Sequence, residues 1–93
     1  MTELEEKIIK QLKQLVPGAE QFEVRANIGD QSSSVEFFAT IDAIKHQCYD
    51  MIDNGEIKEQ DFDAMVKQLA KFIRTCSEYR PGEINKFCFA AEA

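Results

Sequence analysis

Two neighbouring runs of strict alternation constrain this chain most. From Gln21 to Ile28, Phe22, Val24, Ala26 and Ile28 fall on one side and Glu23, Arg25 and Asn27 on the other. After Gly29-Asp30-Gln31-Ser32-Ser33, which reads as a turn, Val35, Phe37, Ala39 and Ile41 share one face, with Phe38 and Thr40 opposite. A period of two marks a half-buried strand, and two such runs across a short turn pair most simply as a hairpin. Phe38 then stands on the outer face, where cover by a helix or the C-terminal tail is the plain reading and a contact site the sharper one.

The segments around the hairpin carry the helical period instead. From Thr2 to Val16, Leu4, Ile8, Leu12 and Leu15 form a stripe with Ile9 and Val16 beside it. Thr2 can cap this helix, and Glu3, Glu5 and Glu6 sit near the positive end of its dipole. Glu6 and Lys10 are spaced for an i,i+4 pair, and Pro17-Gly18 stops the helix. Ile41, Ile44, Cys48, Met51 and Ile52 predict a second helix from about Asp42 to Asp53 in preference to a third strand, with Asn54-Gly55 as its C-cap. Phe62, Met65, Val66, Leu69, Phe72, Ile73 and Cys76 predict a long third helix between Glu59 and Tyr79, closed by Arg80-Pro81-Gly82. In the tail, Glu83 to Ala90, Phe87 and Phe89 predict a last strand that joins the hairpin. The expected fold is α+β, in the order α-β-β-α-α-β, with three helices against a small antiparallel sheet.

At 93 residues and 44% apolar content the chain has material for one core, and residues 1–93 are expected to form a single domain. It has no apolar run of membrane-spanning length. Its start, Met1-Thr2-Glu3-Leu4-Glu5-Glu6, lacks the basic end and apolar stretch of a signal peptide, so a cytoplasmic location is expected. Cys48, Cys76 and Cys88 are odd in number and widely spaced, without a CxxC pair, and read as reduced thiols.

Catalytic chemistry finds little to work with. His46 is the one ready general base near neutral pH. On the expected helix Cys48 would point about 200° away from it, too far round to make a nucleophile and base unit. No GxSxG, HExxH, phosphate-loop or dinucleotide pattern occurs, and no enzyme activity is expected. The stretch Asp50 to Asp61 resembles an EF-hand loop in its glycine at position six, isoleucine at eight and acid at twelve. Ile52 at the third position and Lys58 at the ninth depart from it, and Asp61 is shorter than the usual bidentate glutamate. The plainer reading is a glycine-capped helix end followed by an acidic helix start, so neither metal nor cofactor is expected.

Charge is the informative feature. The chain has 17 acids and 11 bases, a net charge of −6. Six of those acids, Asp50, Asp53, Glu56, Glu59, Asp61 and Asp63, lie in residues 50–63 beside a single base, Lys58, and the rest of the chain is close to neutral. Such focusing speeds encounter with a positive protein surface and repels nucleic acid and anionic membranes. A solvated corner kept acidic for solubility and helix-start electrostatics explains the cluster equally well. Lys67, Lys71 and Arg74 recur along the exposed side of the long helix, but without interleaved aromatics they do not make a nucleic-acid surface.

The hairpin, with Phe22-Glu23-Val24-Arg25-Ala26 and Ser34-Val35-Glu36-Phe37-Phe38-Ala39-Thr40, and the acidic helix connection resemble the bacterial immunity proteins of contact-dependent growth inhibition and related polymorphic toxin systems. The likeness covers size, charge and layout, and transfers no family residue to a position here. It implies binding of one cognate toxin domain, commonly a nuclease, so as to block its active site or substrate path. On that reading Asp50, Asp53, Glu56, Glu59, Asp61 and Asp63 are the partner contacts. The alternatives are a regulatory adaptor or phage-type inhibitor of a host protein, and a structural homodimer paired through Phe38 or the C-terminal strand.

Overall fold

A computed structural model describes residues 2–93. Thr2 opens the first helix, α1 (Glu3–Leu15), with a reciprocal capping box. Its hydroxyl accepts from the Glu5 amide at 3.1 Å, and the Glu5 carboxylate accepts from the Thr2 amide at 2.9 Å. The ion pair on this helix is Lys7 with Glu3 at 3.6 Å, in place of the expected Glu6 and Lys10. Lys7 also lies over the Phe72 ring, 5.2 Å from its centroid, which favours its place in the pair. After Val16 the chain turns at Pro17-Gly18, and the Lys13 ammonium holds the Ala19 carbonyl at 2.7 Å.

The alternating runs are strands β1 (Gln21–Ile28) and β2 (Ser33–Ile41), antiparallel from Gln21 opposite Thr40 to Ile28 opposite Ser33. Phe22, Val24, Ala26, Ile28, Val35, Phe37 and Ala39 are all buried on one face. The tail is a strand, β4 (Asn85–Glu92), which pairs with β1 without a break in register.

The expected helix over Asp42–Asp53 is a correction. Asp42 and Ala43 take positive φ, 51° and 64°, and make a two-residue hairpin turn into a short strand, β3 (Ile44–Gln47). Ile41 and Ile44, three apart and read as one helical stripe, are instead cross-strand partners. Only Cys48–Asp53 is helical, as α2. The element order is therefore α-β-β-β-α-α-β, and the fold is α+β with sheet order β3-β2-β1-β4, every pairing antiparallel.

The third helix, α3 (Glu59–Thr75), ends before the expected Tyr79. Cys76 is extended, and Tyr79 is drawn out of helical register to donate its hydroxyl hydrogen bond to Asp30 in the β1–β2 turn. Asp30 also accepts from the Gly82 amide at 2.9 Å, while Arg74 reaches the Gly29 and Ser32 carbonyls at 3.0 and 3.1 Å. These bonds tie the end of α3 and the loop before β4 to the hairpin turn. Buried Asn85 closes the same region, donating to the Ile28, Arg80 and Glu83 carbonyls and accepting from the Arg80 amide.

α1 packs on α3, α3 on β2 and β1, and α2 on β2 and β3. Between helices and sheet lies one core, in which the Phe22 and Phe37 rings meet edge to face at 5.9 Å and Phe62 stands 6.3 Å from Phe37. Among the described residues no helix is long and apolar enough to cross a membrane.

Among the described residues no helix packs on the sheet's outer face. Phe38 on that face is half-buried: the Lys45 ammonium lies 5.6 Å from its ring centroid, and Cys88 and Ala90 of the tail strand line the same hollow. Lys45 also pairs with Glu23 at 2.7 Å.

Candidate partner-binding surface

The acidic segment is built on a junction with no linker: β3 ends at Gln47 and α2 begins at Cys48. Gln47 makes this abrupt change workable. Its side-chain oxygen accepts from the Tyr49 and Asp50 amides at 2.8 and 3.2 Å, as an N-cap residue must, and its amide nitrogen donates to Glu36 at 3.1 Å. Cys48 and Met51 point into the core, so Tyr49, Asp50 and Asp53 are left facing out. At 100° per residue Asp53 falls between Tyr49 and Asp50, and the three span about 100° of the helix. Gly55 ends α2 with φ 78°, a left-handed value that favours glycine. Glu56 lies exposed in the connection, where Ile57 anchors the chain in the core.

Glu59 and Asp63, four apart, share one flank of α3. Asp61 does not. It leaves α3 about 160° round from Asp63 and faces α1, where it lines a shallow cavity of about 280 Å³ with Gln11, Gln14 and Leu15. The six acids of the sequence segment therefore do not share one face. Asp50, Asp53, Glu56, Glu59 and Asp63 belong to the α2–α3 corner, and Asp61 belongs to the α1–α3 groove.

All six carboxylates are exposed, and none is in an ion pair among the described residues, whose pairs are Lys7–Glu3, Arg25–Glu36 and Lys45–Glu23. None of the described bases closes an ion pair on the corner. Lys58, the one base in the segment, is exposed at the N-cap of α3 and makes no side-chain capping bond.

Tyr49 is a feature the sequence reading missed. It is 45% exposed, and its ring stands edge to face against Phe62 at 5.7 Å, so one side is seated on the core while the other faces out. Partial burial pushes its hydroxyl up from the ordinary phenol range, with charge at Cys48 and Glu36 adding to the effect. A rigid aromatic beside exposed charge is the composition of an interface anchor. Helical spacing over residues 49–53 already set it beside Asp50 and Asp53, but its seat on Phe62 depends on how α3 packs.

The remaining candidates separate. His46 lies on β3 and Cys48 on α2, where Cys48 is fully buried and desolvation pushes its thiol up, away from the thiolate an activated nucleophile needs. Cys76 is half-buried after α3 and Cys88 is exposed on β4. Of the EF-hand-like stretch, Asp50 to Asp53 are helical in α2, and Glu59 to Asp61 are the first turn of α3. Among the described residues no cluster of three or more His, Cys, Asp or Glu is placed to hold a metal ion. Lys67 and Lys71 stay exposed, whereas Arg74 is turned onto the hairpin and leaves the basic stripe.

Compared with known proteins, the chain matches no family model, no curated protein and no solved structure.

Proposed function

We propose that this chain is an inhibitory binding protein of the immunity type, which docks the α2–α3 corner onto a positively charged toxin domain. One observation carries the reading: Asp50, Asp53, Glu56, Glu59 and Asp63 are exposed and in no ion pair among the described residues, and Tyr49, on the same turn of α2 as Asp50 and Asp53, is exposed while seated on Phe62 of α3. A protein that needed this corner only for solubility gains nothing from leaving a seated aromatic among the charges. A nuclease that holds phosphate is positive at its site, and a dense carboxylate surface competes for that site. The carboxylates supply long-range steering, and Tyr49 supplies short-range packing once the partner is reached. Its action is occupancy, with no bond made or broken.

The test is a search of the genes beside this chain's own for the C-terminal domain of a large secreted toxin, followed by co-expression of that domain with this chain; the lack of any such neighbour would remove the toxin reading. The proposal expects that domain to be lethal alone, harmless with the wild-type chain, and lethal again with Asp50→Lys/Asp53→Lys/Tyr49→Ala. Full protection by the triple variant, with the chain folded, would remove the corner from the interface.

A further inference from the structure

We propose that the open edge of β4 is a self-pairing surface, through which two copies join into one continuous eight-stranded sheet. A sheet has two edges, and this one protects them unequally. β3 is four residues long and carries Lys45. β4 is eight residues long, has no proline and no bulge, and holds an unbroken register with β1 from Asn85 to Glu92. A long regular edge of this kind is a template for another strand unless something covers it.

The hydrogen-bonding parity says which groups are unpaired. The Ala93 amide donates to the Glu20 carbonyl, its direct opposite in the β1–β4 register, and on the other side of β1 the Gly29 amide donates to Ser32. Bonds alternate along an antiparallel pair, so Asn85, Phe87, Phe89 and Ala91 turn their amides and carbonyls toward β1. Lys86, Cys88, Ala90 and Glu92 turn theirs to the open edge.

Of the registers in which a second copy can meet that edge, one pairs its charges. Across a two-fold axis perpendicular to the sheet, residues on the same face must oppose each other, and outward amides must meet outward amides. Placing Phe89 opposite its own copy satisfies both conditions for all four outward residues: Lys86 faces Glu92, and Cys88 faces Ala90. Two ion pairs then form on the outer face, one at each end. On the helix-covered face half-buried Phe87 meets the small Ala91, and the two Phe89 rings adjoin, beside the hollow that Phe87 and Phe89 line with Leu4 and Ile8 of α1. Moving the register by two residues toward the N-terminus would set Lys86 against Ala90 and Glu92 against Ile84, losing both pairs. The acidic corner sits over the β3 end of the sheet, so the two corners lie at the far ends of the dimer, where their repulsion is least.

Dilution series by light scattering on wild type, Lys86→Glu, Glu92→Lys and the double exchange test the register. All three variants alter exposed surface charges and leave the core alone. Lys86 and Glu92 are six residues apart on one extended strand and cannot pair within a chain, so rescue by the double variant requires the second copy. The expected result is a dimer that each single reversal weakens roughly tenfold and the double exchange restores to within about twofold of wild type. Amide exchange at Cys88 and Ala90 should slow as concentration rises. A monomer throughout, a dimer without rescue, or exchange indifferent to concentration would each overturn the proposal, while leaving the reading of the acidic corner untouched.

Discussion

Ala43 sits in the left-handed region at φ 64° with a Cβ that this conformation disfavours by about 1–2 kcal/mol. Glycine relieves that strain and gives back part of it as unfolded-state entropy. Ala43→Gly should therefore raise stability by about 0.5–1 kcal/mol, read as a higher urea midpoint with an unchanged slope. A lower midpoint would mean that the turn is not built as described. A second residue-scale effect is pH-dependent. The Tyr79 hydroxyl, then the Gly82 amide, hold Asp30 below the ordinary carboxylate range, and the same bond raises Tyr79. An acid with a lowered folded pKa contributes stability that is complete above the ordinary aspartate range. That contribution is lost as the pH falls through the range to the lowered value. Removing the larger cause with Tyr79→Phe should flatten this acid limb of the stability profile; an identical limb in the variant would assign the acid sensitivity elsewhere.

At the scale of elements, protection against amide exchange should follow position in the sheet. β1 is flanked by β2 and β4 and covered by helices, so its amides should be the slowest. β3, four residues at an edge, should open first and take α2 with it, since Gln47 is both the last residue of one and the cap of the other. β3 exchanging as slowly as β1 would contradict this order.

The same junction marks where sequence reasoning stopped. α1, β1, β2 and most of α3 were legible because each kept one period for at least eight residues, whereas β4 was read from Phe87 and Phe89 alone, as Glu83 to Ala90, and runs from Asn85 to Glu92. β3 was not legible. Its turn is Asp-Ala in place of the Asp-Gly that announces a two-residue hairpin, and four residues are too few to establish a period. Ile41, Ile44 and Cys48 then fitted a helix by coincidence of spacing. The acidic segment was legible as a charge run, but its division between two faces depended on the phase of α3, which sets Asp61 apart from Asp63. Tyr49 could be placed beside Asp50 and Asp53 from spacing alone, but its seat on Phe62 is a tertiary contact that no local period carries.

The whole molecule presents two unlike surfaces at opposite ends of one sheet: the α2–α3 corner above β3 and the open edge of β4. On the proposed docking of the corner onto a toxin domain, long-range charge and short-range packing are divided between the carboxylates and Tyr49, so their removal should read out differently. Asp50→Lys/Asp53→Lys should slow association at low salt by about tenfold or more and weaken its salt dependence, with little change in dissociation. Tyr49→Ala should chiefly speed dissociation, by about tenfold or more.

The most direct measurement is the association rate with the toxin domain that the proposed function requires, as salt is varied, comparing Asp53→Lys with Asp61→Lys, which change the net charge equally. The corner variant should lose rate and salt dependence, while Asp61→Lys, turned toward α1, should change association at low salt by no more than about threefold. Equal effects from both would show that overall charge alone governs binding, and would contradict the assignment of the α2–α3 corner as the docking surface.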